Sequence, residues 1–485
     1  MRDFALRLYC IFSFVFWLSC QGGGDEPAPI RYFLRYRVQS LDPIESVDEA
    51  SGIVLNLLHR RLYRLGSYGR LEGDLVADEE VQASRVILRL REAYFQKSGK
   101  KLHADDVVFC LQRLRDSGRQ SWVLSGLRKI KARGADKVVL ELNGRRGLWK
   151  SLRFRLTLPK TSIYSKEGFL SNGYFDNLSP YRLVLQTTER ILLKSSRNAV
   201  ELLVLPDESS RYFFFAKKQL TIYEAEGAYR HMPYEEELYW PYELSGTAVL
   251  YGAIVSDFAL LGEKSFRKAL NYAFDRKTFC EKVALGSCRA SEAVVPEEWG
   301  VSLPEIYHPH RSLPHFKVAA DYRIFIFTPP DRERQNLSRI LQQILKKMGV
   351  NSYIHTMDLP SLIRNNNERK PGIYLFKWLA DYPHPENFLE PLFHSRNIGV
   401  GGNRAYYVNN KVDQLIDRGD YSPRKLFEIQ RIIQEDAPWL FVGHLRKKYL
   451  FKTNGGFYPE PQTYFWDWQS FFGKAKFLLP REKRL

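Results

Sequence analysis

Apolar side chains follow two spacings that alternate along this chain, and this alternation restricts the fold more than any single motif. The stretch IRYFLRYRVQ, which starts at Ile30, alternates apolar and polar residues and predicts a strand. The stretch EASGIVLNLLHRRL has helical spacing. The pattern recurs in SRVILRLR followed by ADDVVFCLQRL, and in YRIFIF followed by RQNLSRILQQILKKMG. Strands that alternate with helices form sheets covered by helices, so we expect an α/β fold.

The length of the chain limits the number of domains. With 485 residues it is too long for one compact domain, and we expect two or three. Hydrophobic residues make up 44% of the chain, which is enough for sizeable cores. The sequence has no internal repeat and no low-complexity linker, so the domains are expected to join through short crossings.

The first twenty residues have the layout of an export signal. Arg2 and Arg7 precede an apolar run, LYCIFSFVFWLS, that is too short to span a bilayer comfortably. The run ends at Cys20, and a small, polar stretch follows it. WLSC resembles a bacterial lipobox, although Trp17 is large where leucine is usual, and it predicts cleavage and lipidation at Cys20. A plain secretory signal and an N-terminal membrane anchor are the alternatives.

The net charge of +18 raises the question of an anionic partner. A cytosolic protein with this charge would suggest nucleic-acid binding, but the export signal argues against that partner. The basic residues are spread along the chain, which favours a basic, solvated surface. Contact with an anionic membrane surface is the main alternative.

Recognisable motifs for catalysis or metal binding are missing from the sequence. There is no HExxH, GxSxG or Walker A loop, and no GxGxxG opens a helix after a strand. His308 and His310 lie in a proline-rich loop, which favours exposed side chains over a metal site. Asp105 and Asp106 begin a helix, where carboxylates cap free amides. We therefore expect a protein that is not an enzyme and that holds no cofactor or metal.

Three cysteines lie beyond the predicted signal and lipidation site, at Cys110, Cys280 and Cys288. No CxxC motif and no cysteine–histidine cluster at zinc spacing is present. Cys280 and Cys288 are close enough in sequence to pair in an oxidising compartment. Separate buried thiols fit the sequence equally well.

Several segments resemble those of the extracellular solute-binding proteins of the peptide and nickel class, which are receptors of ATP-binding-cassette importers. The peptide-binding lipoproteins of this class are the most similar. The segments occur in the family's order, but NLSPYRL lacks the family's glycines at 177–179. They are SLDPIESVDEASGIVLNLLHRRLYRL, LRLREAYFQKSGKKLHADDVVFCLQRL, NLSPYRL, FRKALNYAFDRKTFCEKVALG and KWLADYPHPENFLEPLF.

The resemblance implies an α/β, two-lobed periplasmic-binding-protein type II fold with an extra small α/β domain inserted in lobe I. Hinge crossings are expected near 246–255 and 452–458. The implied limits are 1–19 for the signal peptide, 20–29 for the tether, 30–48 plus 160–250 plus 456–485 for lobe I, 49–159 for the inserted domain, and 251–455 for lobe II.

One segment, KWLADYPHPENF, bears directly on ligand binding. In peptide-binding members of the family, an aspartate in this segment holds the ligand's α-ammonium, and Asp381 occupies that position with Trp378 and Tyr382 beside it. A zwitterion that leaves water needs an ionised partner for its ammonium, which agrees with this role. A structural role in the proline-rich turn is the alternative for Asp381.

The resemblance implies a monomeric receptor that captures oligopeptides between its lobes and delivers them to the permease of an importer. Its N-terminal lipid would attach it to a membrane, in the periplasm or cell envelope. Another solute, such as a nickel chelate, haem or a sugar, is one alternative. A non-transport lipoprotein for adhesion or sensing is another.

Overall fold

The computed structural model describes residues 28–45, 48–66, 70–117, 121–143, 148–256, 259–309, 313–399, 402–453, 457–458 and 476–477. The strands are β1 Ile30–Leu34, β2 Tyr63–Leu65, β3 Leu71–Gly73, β4 Val76–Val81, β5 Arg85–Leu90, β6 Leu127–Arg133, β7 Lys137–Leu142, β8 Arg182–Gln186, β9 Arg190–Lys194, β10 Ala199–Val204, β11 Ile222–Ala225, β12 Tyr239–Val255, β13 Cys288–Ala290, β14 Arg323–Thr328, β15 Asn351–Thr356, β16 Gly372–Leu379, β17 Trp439–Lys452, β18 Phe457–Tyr458 and β19 Lys476–Phe477. The helices are α1 Glu49–Leu58, α2 Ala104–Asp116, α3 Leu148–Arg155, α4 Lys166–Asn172, α5 Glu208–Ala216, α6 Lys264–Ala273, α7 Arg276–Thr278, α8 Arg332–Lys347, α9 Leu359–Asn367, α10 Glu386–Phe393, α11 Asn410–Arg418 and α12 Pro423–Asp436.

Four antiparallel strands in the order β4-β5-β7-β6 form a separate sheet, called the insert sheet below. Its buried side chains, such as Val86 and Leu140, share a core with helix α2. Asp106 fixes the start of this helix, because its carboxylate accepts the backbone N–H of His103 at 3.0 Å and that of Lys166 at 2.8 Å. The capping role expected for Asp106 is therefore confirmed.

The sheet of lobe I has the order β1-β10-β9-β8, with β1 parallel to β10 and the other neighbours antiparallel. Its core also includes residues of α1 and β11. The end of β17 joins this core, where Tyr449, Leu450 and Phe451 are buried together with Tyr32 and Phe33. Lobe I thus combines the first described strand with one of the last.

The sheet that continues into lobe II has the order β11-β17-β12-β16-β14-β15, and β13 pairs with β17. Residues of β12 alternate between its two faces. Tyr251 and Ala253 pack with helices α10, α11 and α12, whereas Leu250 and Ile254 pack with α6 and α8. Gly252 lies among them, where a Cβ atom would come within 3.2 Å of side chains on the two neighbouring strands.

Strands β12 and β17 pair over most of their length and pass from the core of lobe I to that of lobe II. Their register shifts between Ser245, opposite Arg446, and Val249, opposite His444. Gly246 lies inside this irregularity with φ +79°, a backbone conformation that favours glycine. The two strands therefore bend as they leave lobe I. The domain limits and crossings expected from the sequence stay predictions.

A disulfide joins Cys280 to Cys288, with Cα atoms 5.1 Å apart, so these two cysteines are paired and are not separate thiols. Cys110 is a buried free thiol whose Sγ lies 3.4 Å from the backbone oxygen of Tyr164. The predicted lipidation site, Cys20, lies outside the described residues. Within the described ranges, no helix has the length and apolarity needed to cross a membrane.

Candidate ligand-binding cleft

A cavity of about 230 Å³ lies between the two lobes. Members of 48–56 line it from helix α1 and its N-cap, and 157–160 line it from the segment after α3. Strand β16 and the turn after it contribute 379–381, while β17 contributes Lys447 and Tyr449. Residues from distant parts of the sequence thus meet around one space.

The lobe II wall of this cavity is the turn that follows β16. The backbone N–H of Ala380 donates to the carbonyl of Thr247 at 2.8 Å, and that of Asp381 donates to Asn387 Oδ1 at 2.9 Å. Trp378 Nε1–H donates to the carbonyl of Asn387 at 3.0 Å. These bonds fix the turn without using the Asp381 carboxylate.

The carboxylate of Asp381 is half-buried on the cavity wall. Among the residues that the structure describes, none forms a hydrogen bond or an ion pair with it. Leaving a half-buried charge without a partner is unfavourable. The side chain is therefore available to a positively charged group inside the cavity.

The lobe I wall carries charges that pair with one another. Glu49, in the first turn of α1, lies 3.2 Å from Arg35 and 3.7 Å from Lys447. Glu224, on β11, lies 3.0 Å from Arg35 and 3.4 Å from Lys447. Arg35 also lies 3.2 Å from Glu226, so three carboxylates and two cations neutralise each other beside the cavity.

Strong interactions hold this network in its charged form. Burial alone would raise the pKa of Glu224, but Arg35 and Lys447 outweigh it and hold that pKa at about 2. Burial opposes charge on Lys447, yet Glu224 and Glu49 raise the pKa of its ammonium above the ordinary value. Both side chains are consequently ionised at neutral pH, and each depends on the others remaining in place.

Lys160 adds a further cation to the wall of the cavity. It lies in the short 3-10 turn Pro159–Thr161 and lines the same cavity as Asp381. Burial lowers the pKa of Lys160, and the negative charge of Asp381 partly offsets this effect. Its Nζ atom lies 5.1 Å from the ring centroid of Trp122. The cavity therefore brings a cation and an anion from opposite lobes under each other's influence.

An aromatic contact joins the lobes next to the cavity. Phe154, at the end of α3, lies with its ring centroid 6.5 Å from that of Tyr382 and 5.1 Å from that of His384. Tyr382 is only 2% exposed and belongs to the core beneath the insert sheet, although it follows a lobe II strand. This contact holds the turn of lobe II against the inserted region.

The three residues predicted to bind ligand have different positions. Asp381 lines the cavity, whereas Trp378 and Tyr382 flank the turn and are absent from the cavity wall. As ligand contacts, all three stay predictions. Sequence reasoning missed Lys160 and Lys447, because nothing near them in the sequence indicates that they would meet Asp381.

Metal binding finds no support in the described part of the chain. No group of three or more His, Cys, Asp or Glu side chains there could hold a metal ion. His308, in the proline-rich loop, is exposed, as expected from the sequence. His310 lies outside the described residues.

The fold resembles several solved structures. The oligopeptide-binding protein AppA from Bacillus subtilis, in complex with a nonapeptide, has a TM-score of 0.74 and 16% identity, covering 92% of this chain and 99% of that one. The Escherichia coli murein tripeptide binding protein MppA has a TM-score of 0.73 and 15% identity, with coverages of 92% and 98%. NikZ from Campylobacter jejuni, in complex with Ni(L-His), has a TM-score of 0.72 and 16% identity, with coverages of 88% and 94%. The chain therefore has the two-lobed type II fold.

Curated relatives match over shorter stretches. A probable di/tripeptide-binding protein 5 of Pseudomonas aeruginosa is 27% identical over 199 residues, which cover 38% of this chain and 38% of the relative. Heme-binding protein A of Haemophilus influenzae is 27% identical over 221 residues, which cover 42% of this chain and 40% of the relative. The match thus spans about two fifths of these relatives' length.

A family model matches a longer part of the chain. It describes the bacterial extracellular solute-binding proteins, family 5 Middle, and covers residues 71–400. That range is more than half of the chain and includes the insert sheet, strand β12 and Asp381. The chain belongs to the bacterial extracellular solute-binding proteins, family 5.

Proposed function

We propose that this protein is the substrate-binding receptor of an ATP-binding-cassette importer and that it captures short peptides between its lobes. The carboxylate of Asp381, unpaired among the described residues, carries this proposal. A peptide ammonium would supply the charge-assisted hydrogen bond that this group lacks. Relatives named as a di/tripeptide-binding protein and an oligopeptide-binding protein support a peptide ligand.

The charges around the cavity suit a zwitterionic ligand. Asp381 offers a partner for an ammonium, and the cation Lys160 gives a favourable field for a carboxylate. Main-chain hydrogen bonds would hold the peptide backbone without selecting its side chains. A peptide with both ends free should therefore bind better than one with either end blocked.

The cavity volume favours a short ligand. At about 230 Å³ it lies below the range of roughly 300–1,000 Å³ that is usual for ligand pockets. A peptide of two or three residues would need little widening, whereas a longer one would require the lobes to separate. Hinge motion at the bend of β12 and β17 would provide that separation.

We further propose that the chain is exported, processed at Cys20 and held to a membrane by lipid, and that it acts as a monomer which presents peptides to the permease. The layout of residues 1–29 supports the export and anchoring steps. A receptor of this kind binds and releases its ligand without catalysis.

Incorporation of labelled palmitate into wild type and its loss in Cys20→Ala tests the anchor. Equal labelling of both would contradict it.

Mass spectrometry of small molecules that co-purify with the protein is the direct test of the ligand. Peptides of two or three residues are expected after denaturation of the purified chain. Isothermal calorimetry with a dipeptide, its N-acetylated form and its C-amidated form then measures the contribution of each charged end. Equal binding of all three forms, or a co-purified ligand that is not a peptide, would contradict the proposal.

A different solute is the second candidate. Similarity to a haem-binding protein and to a protein solved with Ni(L-His) favours haem or a nickel chelate over a sugar. Haem or the nickel chelate would give visible absorbance on the purified protein, and a sugar would appear in the same mass spectrum. A protein for adhesion or sensing would show no ligand-dependent closure in small-angle scattering.

A further inference from the structure

The outer face of the insert sheet concentrates positive charge. Strand pairing places three cross-strand rows on this face, because the opposite face packs into the core. The rows contain Lys129, Glu141 and Arg85; then Lys131, Val139, Ile87 and Glu80; and finally Arg133, Lys137, Arg89 and Asp78. Six cations and three carboxylates thus share one side of the described sheet.

The third row sets three cations side by side. Lys137 lies directly opposite Arg133 on one neighbouring strand and directly opposite Arg89 on the other. All three side chains are exposed. Among the described residues, only Arg89 of these three cations has an ion-pair partner, Asp78 at 3.8 Å. Like charges directly opposite each other destabilise a sheet, so this row lowers the stability of the fold.

The rest of the face adds to the positive charge. Arg128 projects from an irregularity in β6, where the register shifts between Leu127 and Lys129. With Arg85, it lines a shallow groove on this side of the sheet. Glu141, the carboxylate of the first row, lies 4.0 Å from Lys131, at the limit of an ion pair. The face therefore keeps a large net positive charge in spite of its acidic residues.

We propose that this basic face of the insert sheet docks on the anionic headgroups of a membrane surface. A row of three adjacent cations, of which only Arg89 has an acidic partner among the described residues, costs stability within the folded protein. Such a local conflict indicates a function outside the fold. The charges spread over three rows, which matches a field of many phosphates better than one defined anion. The centre of the face is occupied by Val139 and Ile87 of the second row, which carry no charge.

The proposed anchor would keep the folded chain close to a membrane. Nine residues lie between Cys20 and Ile30, the start of β1, and a fully extended chain over these ten steps reaches roughly 35 Å. The closeness to a membrane rests on the proposed lipid at Cys20. The positive charge of the face is independent of that lipid. The ligand in the cleft has no part in the inference, which goes beyond peptide binding.

Co-sedimentation with vesicles tests the proposal on the chain that begins at residue 20, with Cys20→Ser to remove the lipid. Wild type is compared with a variant carrying Arg89→Gln, Arg133→Gln and Lys137→Gln. Vesicles that contain phosphatidylglycerol should bind wild type at low ionic strength, and vesicles of phosphatidylcholine alone should not. Loss of three basic contacts should weaken the partition onto anionic vesicles about 100-fold.

A matched control variant loses three positive charges outside the insert sheet. Arg339, Lys346 and Lys347 are exposed cations on α8, far along the chain and outside the insert sheet. Their replacement by glutamine should leave vesicle binding nearly at the wild-type level. Equal loss in both variants would show a general effect of net charge and would overturn the proposal.

Two further readouts separate docking from folding and from ligand capture. The insert-sheet variant should melt no earlier than wild type, because it loses like-charge repulsion. Its peptide affinity in calorimetry should match that of wild type whether or not a peptide is the natural ligand. Failure of wild type to bind anionic vesicles would overturn the proposal, and capture of an acidic protein in place of vesicles would do the same.

Discussion

The two walls of the cleft differ in whether their carboxylates have ion-pair partners. On the lobe I wall, Glu49 and Glu224 are each within 3.7 Å of Arg35 and Lys447, so the charges neutralise one another. On the lobe II wall, Asp381 has no ion pair with any described residue. The same type of side chain is thus part of the scaffold on one wall and open to the cavity on the other.

The difference indicates which charges serve the fold and which serve the ligand. A buried carboxylate whose partners are already in place has little left to offer a ligand, and its loss leaves cations unpaired. Asp381 is held through its backbone N–H, which donates to Asn387 Oδ1, so its carboxylate can be altered without disturbing the turn. Substitution on one wall should change stability, and substitution on the other should change affinity.

The largest expected effect is the loss of stability in Glu224→Gln. The variant leaves Arg35 and Lys447 with less compensating charge in a buried site, and breaking a buried pair costs roughly 3–5 kcal/mol. Urea unfolding measures the change against wild type. Asp381→Asn is the matched control and should stay within about 0.5 kcal/mol of wild type. Equal stability of Glu224→Gln and wild type would remove the contrast between the walls.

Asp381→Asn should reduce affinity for peptide instead. Truncating one partner of a buried charge pair costs roughly 2–5 kcal/mol, which is on the order of 30-fold to several thousand-fold in affinity. Calorimetry compares a free-amine peptide with its N-acetylated form on both proteins. Wild type should prefer the free amine, and the variant should lose most of that preference. A variant that binds both peptides like wild type would make Asp381 a turn residue.

The bend between the lobes should be sensitive to acid through His444. Its buried ring donates from Nε2–H to the carbonyl of Ala293 at 2.9 Å. Burial, with help from Arg289, lowers the pKa of this histidine to about 4. An unfolded chain has a histidine pKa near 6.5, so as pH falls from about 6.5 to about 4 only the unfolded state gains this proton, and stability falls by up to roughly 3 kcal/mol.

His444→Gln should therefore lose less stability than wild type when the pH drops from about 7 to about 4. Above about pH 6.5 the ring is neutral in both states, and this group adds no pH dependence. Urea unfolding at the two pH values gives the comparison. His308→Gln, at an exposed position, serves as the control and should behave like wild type. Parallel acid sensitivity of the His444 variant and wild type would contradict the expectation.

The smallest expected effect concerns the aromatic contact between the walls. Phe154→Leu removes ring contacts to Tyr382 and His384 that contribute roughly 0.5–1.5 kcal/mol. The ligand-free variant should have a larger radius of gyration in small-angle scattering, and peptide affinity should fall by up to about tenfold. Phe213→Leu, on the exposed face of α5, is the control. An unchanged radius would show that this contact does not hold the lobes together.

Much of the fold was predictable because its signals are local. The alternation of apolar residues from Ile30 gave a strand, and the helical spacing of 332–347 gave α8. Asp106 was identified as a cap from its place before an apolar run, and its hydrogen bonds agree. The strand signal, the helix signal and the bond between Asp106 and His103 depend on residues within a few positions of each other. The bond between Asp106 and Lys166 joins distant segments.

The cleft was less predictable, because it depends on contacts between distant segments. Asp381 was found through a family motif, which reports the turn but not the opposite wall. Lys160 and Lys447 meet it only because the lobes fold back along β12 and β17. The burial of Tyr382 in the inserted region's core is equally invisible in the sequence, where it follows a lobe II strand. The spacing of residues along a chain carries no information about contacts between distant segments.

A chain is synthesised from its N-terminus, and β17 is made late. The position of β17 in the sequence therefore determines which hydrophobic cores can close before synthesis ends. The core under the insert sheet comes almost wholly from 62–178 and can close soon after that stretch is made. The core of lobe I must wait for 449–451, although it begins with β1. Its apolar strands thus stay uncovered until nearly the whole chain exists. A chain truncated before β17 should keep the insert core and expose the strands of lobe I to aggregation.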